Sequence, residues 1–515
     1  MAAKQSSVPL PMPKTSSWRP PISKAKAEGL NVSLLLDRAV SIRAPPLGSS
    51  CSACELLNAA GQGVGTPLAS PAKRRFPSWL CGDAVVPRFR HTVSAEADAF
   101  LDHVARGLPA ILAGGALVPD ASPVGSAWTA AELVQRLHGK SVVSMTAPAP
   151  ARRAYTFYRS PNGKASEGGY DMDAYFRSGR YAVKGTHKVN AKGFLKRRDA
   201  ADATEVPYLQ VPLYTASAGW GQIEKEGLPA QIAHEVMSSL NIGALELIKK
   251  SGGWGRLTSS TLFVAPRDGL STCHYDEVHN LFCQIRGHKS FLLFPPNAAA
   301  HLAPYPIHHW ADRRARTDVE GLQEGDHAGA PLRGCAVEAL VGPADTLFLP
   351  AYWFHHVHAL DGDGVSFSLW YDLHATLAEE VARAIRPSST QAARTTAARR
   401  AGVEAGVDLG ASRHSLRVRL ARESEAVVGA TLGEHHARVF FLRLARRCAD
   451  EEGCAPPAAY AGEGDDEAEA LEPNLQEWLL GRLGELVGQT EVRSFVEQFL
   501  GKGRFAGIPV AVSAR

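Results

Sequence analysis

The sequence predicts an α+β protein: a central domain of antiparallel strands, preceded by mixed strands and helices and followed by a helical region. Between Thr258 and Leu373, short segments rich in Phe, Val, Leu and Tyr are separated by Gly and Pro turns, the spacing of a β-sandwich or barrel. Upstream, short strand and helix signals alternate, and downstream the apolar residues recur at helical spacing. A length of 515 residues exceeds one usual globular domain, so three parts are expected, with no internal repeat among them.

Residues 1–73 are rich in Ser, Pro, Ala and Gly and carry no sustained period, which predicts a disordered tail. Basic side chains outnumber acids in its first fifty residues, a composition shared by organelle-targeting segments and plain solvated tails. Cys51-Ser-Ala-Cys54 within it has no second cysteine pair at zinc-finger spacing, so neither a metal nor a redox role is expected there. The part spanning 74–373 opens with a helix over Ser94–His103 capped by Ser94, a strand over Leu108–Gly114, and a helix over Trp128–Leu137 capped by Thr129. Leu281–Ile285 and Ser290–Phe294 read as two strands joined by an Arg286-Gly287 turn, the second returning Lys289 towards the first. In the part spanning 374–515, Thr376–Arg386, Ser415–Ala430, Leu432–Cys448 and Leu475–Leu500 read as helices, with an acidic linker near 463–472. Leu475, Trp478, Leu479, Leu483, Leu486 and Val487 share one face of the last helix. That stripe is expected to pack a core, or to serve a homodimer through the C-terminal helices.

With 45% hydrophobic and 21% charged residues, collagen-like, disulfide-stapled and fully disordered chains are excluded. The excess of 56 Lys plus Arg over 52 Asp plus Glu is +4, too small to predict a nucleic-acid partner. No apolar run approaches the ~20 residues of a bilayer span, and no secretory apolar region follows Met1. Eight cysteines are too sparse for a disulfide framework and fit a reducing compartment. The expectation is an intracellular protein of the cytoplasm or nucleus, or of an organelle addressed by the tail, with no membrane partner.

The chemistry concentrates in two stretches. In Ser271-Thr-Cys-His274-Tyr-Asp276, strand alternation puts His274 and Asp276 on one side, a nitrogen and an oxygen for one ion. A second stretch, whose His355 lies 79 residues beyond Asp276, runs Gly342-Pro-Ala-Asp345-Thr-Leu-Phe-Leu-Pro350-Ala-Tyr-Trp-Phe-His355-His356-Val-His358. Two imidazoles and one carboxylate on one face of a metal leave positions open, which suits non-haem iron(II); structural zinc prefers thiolates and closure. Spacing alone does not choose between His355 and His356, and His356 and His358 share the opposite strand face. Asp345 reads as a loop-turning residue, and His279, His288, His308, His309, His435 and His436 fall in no second ligand pattern.

HYDEVHNLFCQIRGHKSFLLFPP followed by GPADTLFLPAYWFHHV resembles the JmjC (cupin-like) 2-oxoglutarate oxygenases. The likeness is strongest to the small JmjC-only hydroxylases, a group that includes the asparaginyl hydroxylase inhibiting hypoxia-inducible factor, and it covers roughly Arg74 to Leu373. It implies a double-stranded β-helix (jelly-roll) core, Fe(II) held by His274, Asp276 and His355, 2-oxoglutarate as cosubstrate and O2 as oxidant. It further implies that Lys289 and Tyr208 reach the distal carboxylate of 2-oxoglutarate, that Asn280, Ser271 and Trp370 line its pocket, and that Gln210 lies near the substrate. Ser368 departs from the pattern, standing where the asparaginyl hydroxylase has an asparagine. Phe263, Phe282 and Leu292 offer a dry lining. The implied reaction is hydroxylation of an amino-acid side chain of a protein substrate, with release of succinate and CO2. Demethylation of N-methyl-lysine by the same step and a non-catalytic metal-binding cupin scaffold are the alternatives.

Overall fold

The computed structural model describes residues 76–148, 186–215, 230–372, 409–449 and 466–505, with short breaks inside the first three spans. The expected tail with its CxxC, the helix over Thr376–Arg386 and the start of the 463–472 acidic run lie outside the described residues. Two compact units are present. One holds the described residues up to Pro296 and those from Asp318 to Asp372; the other joins Asn297–Thr317 to the residues from Arg413 onward.

The first unit is built on strands β1 (Arg88–Arg90), β2 (Ala110–Ala113), β3 (Ser141–Pro148), β4 (Thr186–Lys188), β5 (Glu205–Thr215), β6 (Leu257–Ala265) and β7 (Leu270–Tyr275). They are followed by β8 (His279–Arg286), β9 (Lys289–Phe294), β10 (Val337–Val341), β11 (Thr346–Leu349), β12 (Phe354–Ala359) and β13 (Gly364–Tyr371). A nine-stranded sheet runs β1-β2-β11-β8-β13-β6-β5-β3-β4, and a four-stranded sheet runs β10-β9-β12-β7. Apart from the parallel β1–β2 pair the ladders are antiparallel. The expected α+β class with a jelly-roll core is what the chain forms.

Period-2 alternation sorts the large sheet into two faces. Outward-facing Leu209, Val211, Leu262, Val264, Leu281, Cys283, Val365, Phe367 and Leu369 form one core with helices α1 (Ser94–Ala105), α2 (Ala130–Arg136), α3 (Ala230–Ser239) and α4 (Ile242–Gly252). Inward-facing Phe282, Leu347 and Leu349 meet Phe291, Leu293, Val337, Ala339 and Val357 of the small sheet in a second core. The site lies between the sheets, next to that second core.

The two strands flanking Arg286-Gly287 do not pair with each other as the sequence reading implies: β8 belongs to the large sheet and β9 to the small one. The turn carries the chain across the sandwich. Gly287 sits at φ 68°, where an added Cβ would stand 3.2 Å from the Asp363 carbonyl oxygen, so the crossing requires glycine. Thr129 caps α2, accepting from the Glu132 backbone N–H at 3.1 Å. Ser94 does not cap α1, because Val93, with φ −111° and ψ 112°, is the last extended residue and Ser94 is already inside the helix.

The second unit contains α5 (Leu409–Leu432) from Arg413 onward, α6 (Glu434–Ala449), α7 (Asp466–Val487) and α8 (Val492–Phe499). Gly488, at φ 93°, breaks the expected last helix into α7 and α8. Leu475, Trp478, Leu479, Leu483 and Val487 are buried against their own chain, with Phe440, Phe441, Phe495 and Phe499. Arg504 and Glu425 form an ion pair at 2.6 Å that is 4% and 1% exposed, and the Ile307 N–H donates to the same carboxylate at 2.8 Å. Such a pair holds only because both charges are compensated. Among the described residues no helix is long and apolar enough to cross a membrane.

Candidate active site

His274 lies near the end of β7 and is directly opposite His355 of β12 in the ladder. Their rings stand 4.1 Å apart at 55°. Asp276 follows β7 immediately, its carbonyl accepting from the Tyr352 N–H at 2.7 Å. One donor atom from each of His274, Asp276 and His355 falls within 4.8 Å of the other two, and His355 Nε2 is 4.0 Å from Asp276 Oδ2.

Each of the three side chains is oriented by a further contact. His274 Nδ1 is 2.7 Å from the Thr272 carbonyl oxygen and His355 Nδ1 is 3.1 Å from that of Trp353. A carbonyl accepts only, so each Nδ1 carries the proton and each Nε2 keeps its lone pair for a metal. Trp370 Nε1–H donates to Asp276 Oδ2 at 2.9 Å, fixing the rotamer of the carboxylate. The sequence reading placed Trp370 in a pocket wall; its bond to Asp276 depends on β13 lying in the opposite sheet.

Lys289, at the start of β9, is 4% exposed. Its ammonium donates to Ser366 Oγ at 3.0 Å and stands 4.8 Å above the Phe282 ring and 5.4 Å above the Phe263 ring. Burial pushes its pKa down to about 7, because an ammonium in an apolar cage with one hydroxyl partner is poorly solvated. An anionic group beside it restores the charged form.

Asn280, Ser366, Ser368 and Trp370 share the inner face with Phe282, by alternation along β8 and β13. Gln210 is opposite Phe263 in the β5–β6 ladder, and Tyr208 has the same parity, its ring stacked 5.9 Å from Phe263. Burial raises the Tyr208 phenol above its ordinary range, with Gln210 as its hydrogen-bond partner. Asn280 Oδ1 is buried without a hydrogen-bond partner, the mark of a polar surface built for a guest. Ser271, three residues before His274, would face away from it in an unbroken strand. A register shift puts Ser271 opposite Val357 while His274 stays opposite His355, so both fall on the inner face. Leu292 is opposite His356 and Glu338 on the outer face, so it does not line the pocket.

Outside these three residues, Pro350 to Trp353 is held from behind. His279 Nδ1 accepts from the Ala351 N–H at 3.2 Å, and its ring stacks 5.1 Å from Trp254. Burial lowers its pKa to about 3, so this imidazole is a neutral acceptor. Asp345 performs the expected loop-turning task, accepting from the Gly342 N–H at 2.7 Å and pairing with Arg88 at 2.5 Å.

Two facing, largely antiparallel sheets that bring two imidazoles and a carboxylate together between them define a jelly-roll protein with a candidate metal site. The chain belongs to the cupin-like domain family, whose profile matches residues 96–376. Lysine-specific demethylase JMJ31 of Arabidopsis thaliana is 31% identical over 117 residues, 22% of this chain and 21% of that protein. Jumonji C domain-containing protein 5 of Drosophila melanogaster is 31% identical over 112 residues, 21% and 27% of the two chains. The tRNA wybutosine-synthesizing protein 4 of Gibberella zeae is 31% identical over 116 residues, 22% and 11% of the two chains. The chain thus spans about a quarter or less of the length of these curated relatives. Likeness to these relatives places the cupin-like domain with the JmjC type.

Proposed function

We propose that this protein is an Fe(II)- and 2-oxoglutarate-dependent dioxygenase that hydroxylates an amino-acid side chain of a protein substrate. The observation that carries the reading is the pairing of His274, Asp276 and His355 on one inner face with the buried ammonium of Lys289. Two neutral imidazoles and a carboxylate fit iron(II) and leave open positions. The iron with 2-oxoglutarate and O2 supplies the oxidation of a C–H bond, coupled to decarboxylation of the cosubstrate to succinate.

The chain's own residues do the rest. His274, Asp276 and His355 hold the metal; Thr272, Trp353 and Trp370 keep those three in their ligating orientations. Lys289, with Ser366 beside it, takes the distal carboxylate of 2-oxoglutarate, where the charge it gives up in an apolar cage is recovered. Tyr208, Asn280 and Ser271 supply polar contacts along the same inner face, and Phe263 and Phe282 exclude water. We place Gln210 on the substrate side, from its shared face with Tyr208, and propose the cell interior as the compartment, from the sparse cysteines.

Anaerobic loading with Fe(II) and 2-oxoglutarate, then admission of air, should yield succinate from the native chain and none from His274→Ala or Lys289→Ala. No binding of either component by the native chain would overturn the reading in favour of a non-catalytic cupin. Names of relatives such as the Arabidopsis demethylase favour a second outcome on N-methyl-lysine. Formaldehyde released from a methylated peptide distinguishes it from stable hydroxylation.

A further inference from the structure

Strand β12 carries a second group of metal-ligand type on its other face. His356 and His358 are two residues apart, so both project outward from the small sheet, opposite to His355 and Val357. Glu320, within the Asp318–Gly321 turn, brings its carboxylate to them. Its Oε1 is 3.0 Å from His356 Nε2 and is also hydrogen-bonded with His358 Nε2. One donor atom from each of the three residues lies within 4.8 Å of the other two, as in the inner group.

The surroundings favour an ion over a plain hydrogen-bonded trio. Both imidazoles are 2% exposed, and their ring centroids are 5.3 Å apart. The Phe76 ring closes over them edge-on at 5.9 and 5.6 Å. Both nitrogens converge on the same carboxylate oxygen instead of spreading over the two that Glu320 offers. His356 Nδ1 is buried with no hydrogen-bond partner, so its ring is oriented from the Nε2 side alone. Glu320 is the least buried of the three, with its side chain 23% exposed, which leaves a solvent-side position for a water ligand. Two imidazoles and one carboxylate, with water in the fourth position, are the donor set of open zinc sites, as distinct from the closed thiolate sets of purely structural zinc.

We propose that Glu320, His356 and His358 form a second metal site, for Zn(II), on the outer face of the strand whose inner face carries His355. Its ion ties the Asp318–Gly321 turn to β12 and keeps one coordination position open to solvent. The proposal is independent of the reaction assigned above.

The test uses the full chain with His274→Ala and Asp276→Ala, which silence the inner group, stripped of metal by a chelator. Titration should show one equivalent of Zn(II) bound and a melting temperature that rises with Zn(II); Co(II) in its place should give the visible absorption of a four-coordinate ion. Adding Glu320→Gln, which preserves an acceptor oxygen for the two histidines, should weaken Zn(II) by about 10–100-fold and shrink the thermal shift accordingly, while the metal-free melting temperature stays unchanged. Failure of the silenced chain to bind Zn(II), or undiminished binding after Glu320→Gln, would overturn the proposal.

Discussion

On the side of β8 and β13 that faces the small sheet, the side chains are Asn280, Phe282, Gln284, Ser366, Ser368 and Trp370. On the side that faces the helices, they are Leu281, Cys283, Ile285, Val365, Phe367 and Leu369. One pair of strands therefore carries two opposite chemistries, separated only by the alternation of the pleat. The helix-covered face removes apolar surface from water, at about 25 cal/mol per Å². The inner face does the reverse in part. Asn280 Oδ1 and Gln284 Oε1 are buried without hydrogen-bond partners, each costing about 1–3 kcal/mol. Stability is concentrated on one face, and the other face spends part of it on an arrangement that can hold a ligand.

This division can be broken by experiment. Phe367→Ala, on the helix-covered face, should destabilise the sandwich unit by about 3–5 kcal/mol in urea unfolding, with Fe(II) affinity of the folded protein unchanged. Loss of metal binding without loss of stability would show that the two faces are not separate in role. On the inner face, Trp370→Phe removes the N–H that holds Asp276. It should lower metal affinity or turnover by about 10–100-fold and shift the melting temperature little, measured by Fe(II) titration and calorimetry.

The lysine sharpens the same contrast. Because burial brings the Lys289 pKa to about 7, the ammonium is largely charged below that pH and largely neutral above it. Binding a carboxylate then requires uptake of a proton, so 2-oxoglutarate affinity should fall by up to about tenfold per pH unit above 7. Lys289→Arg, charged throughout, should flatten that profile, and isothermal titration at three pH values reads it. The smallest effect is expected far from either face: Thr129→Ala, which removes the cap of α2, should cost about 1 kcal/mol with turnover intact.

Much of the site can be read in the chain itself. His274-Tyr-Asp276 needs only period-2 alternation, and the histidine-rich stretch ending at His358 marks a second ligand-bearing strand. The choice of His355 over His356 as partner of His274 rests on ladder register, which places His355 directly opposite. The Ser271 position depends on an irregular ladder that alternation does not reveal, and Leu292 faces outward because β9 crosses to the other sheet instead of pairing with β8. His356 and His358 show their shared face in the sequence, whereas Glu320, 36 residues upstream of His356, carries no motif that would join it to them.

What the sequence determined by itself are the properties set within a few bonds: the β character of Thr258 to Leu373, the cap of α2, the helical C-terminal region and the two-residue spacing of ligands. Those follow from φ/ψ preferences and side-chain periodicity, which neighbouring residues settle among themselves. Only the tertiary structure decided that Tyr208, Lys289, His355 and Trp370 face one space, and that β12 serves a different group on each side. Strands distant in the chain are brought together by ladder hydrogen bonds and by burial of both sheet faces, and a shift of one residue in any ladder would turn its ligands to the wrong side.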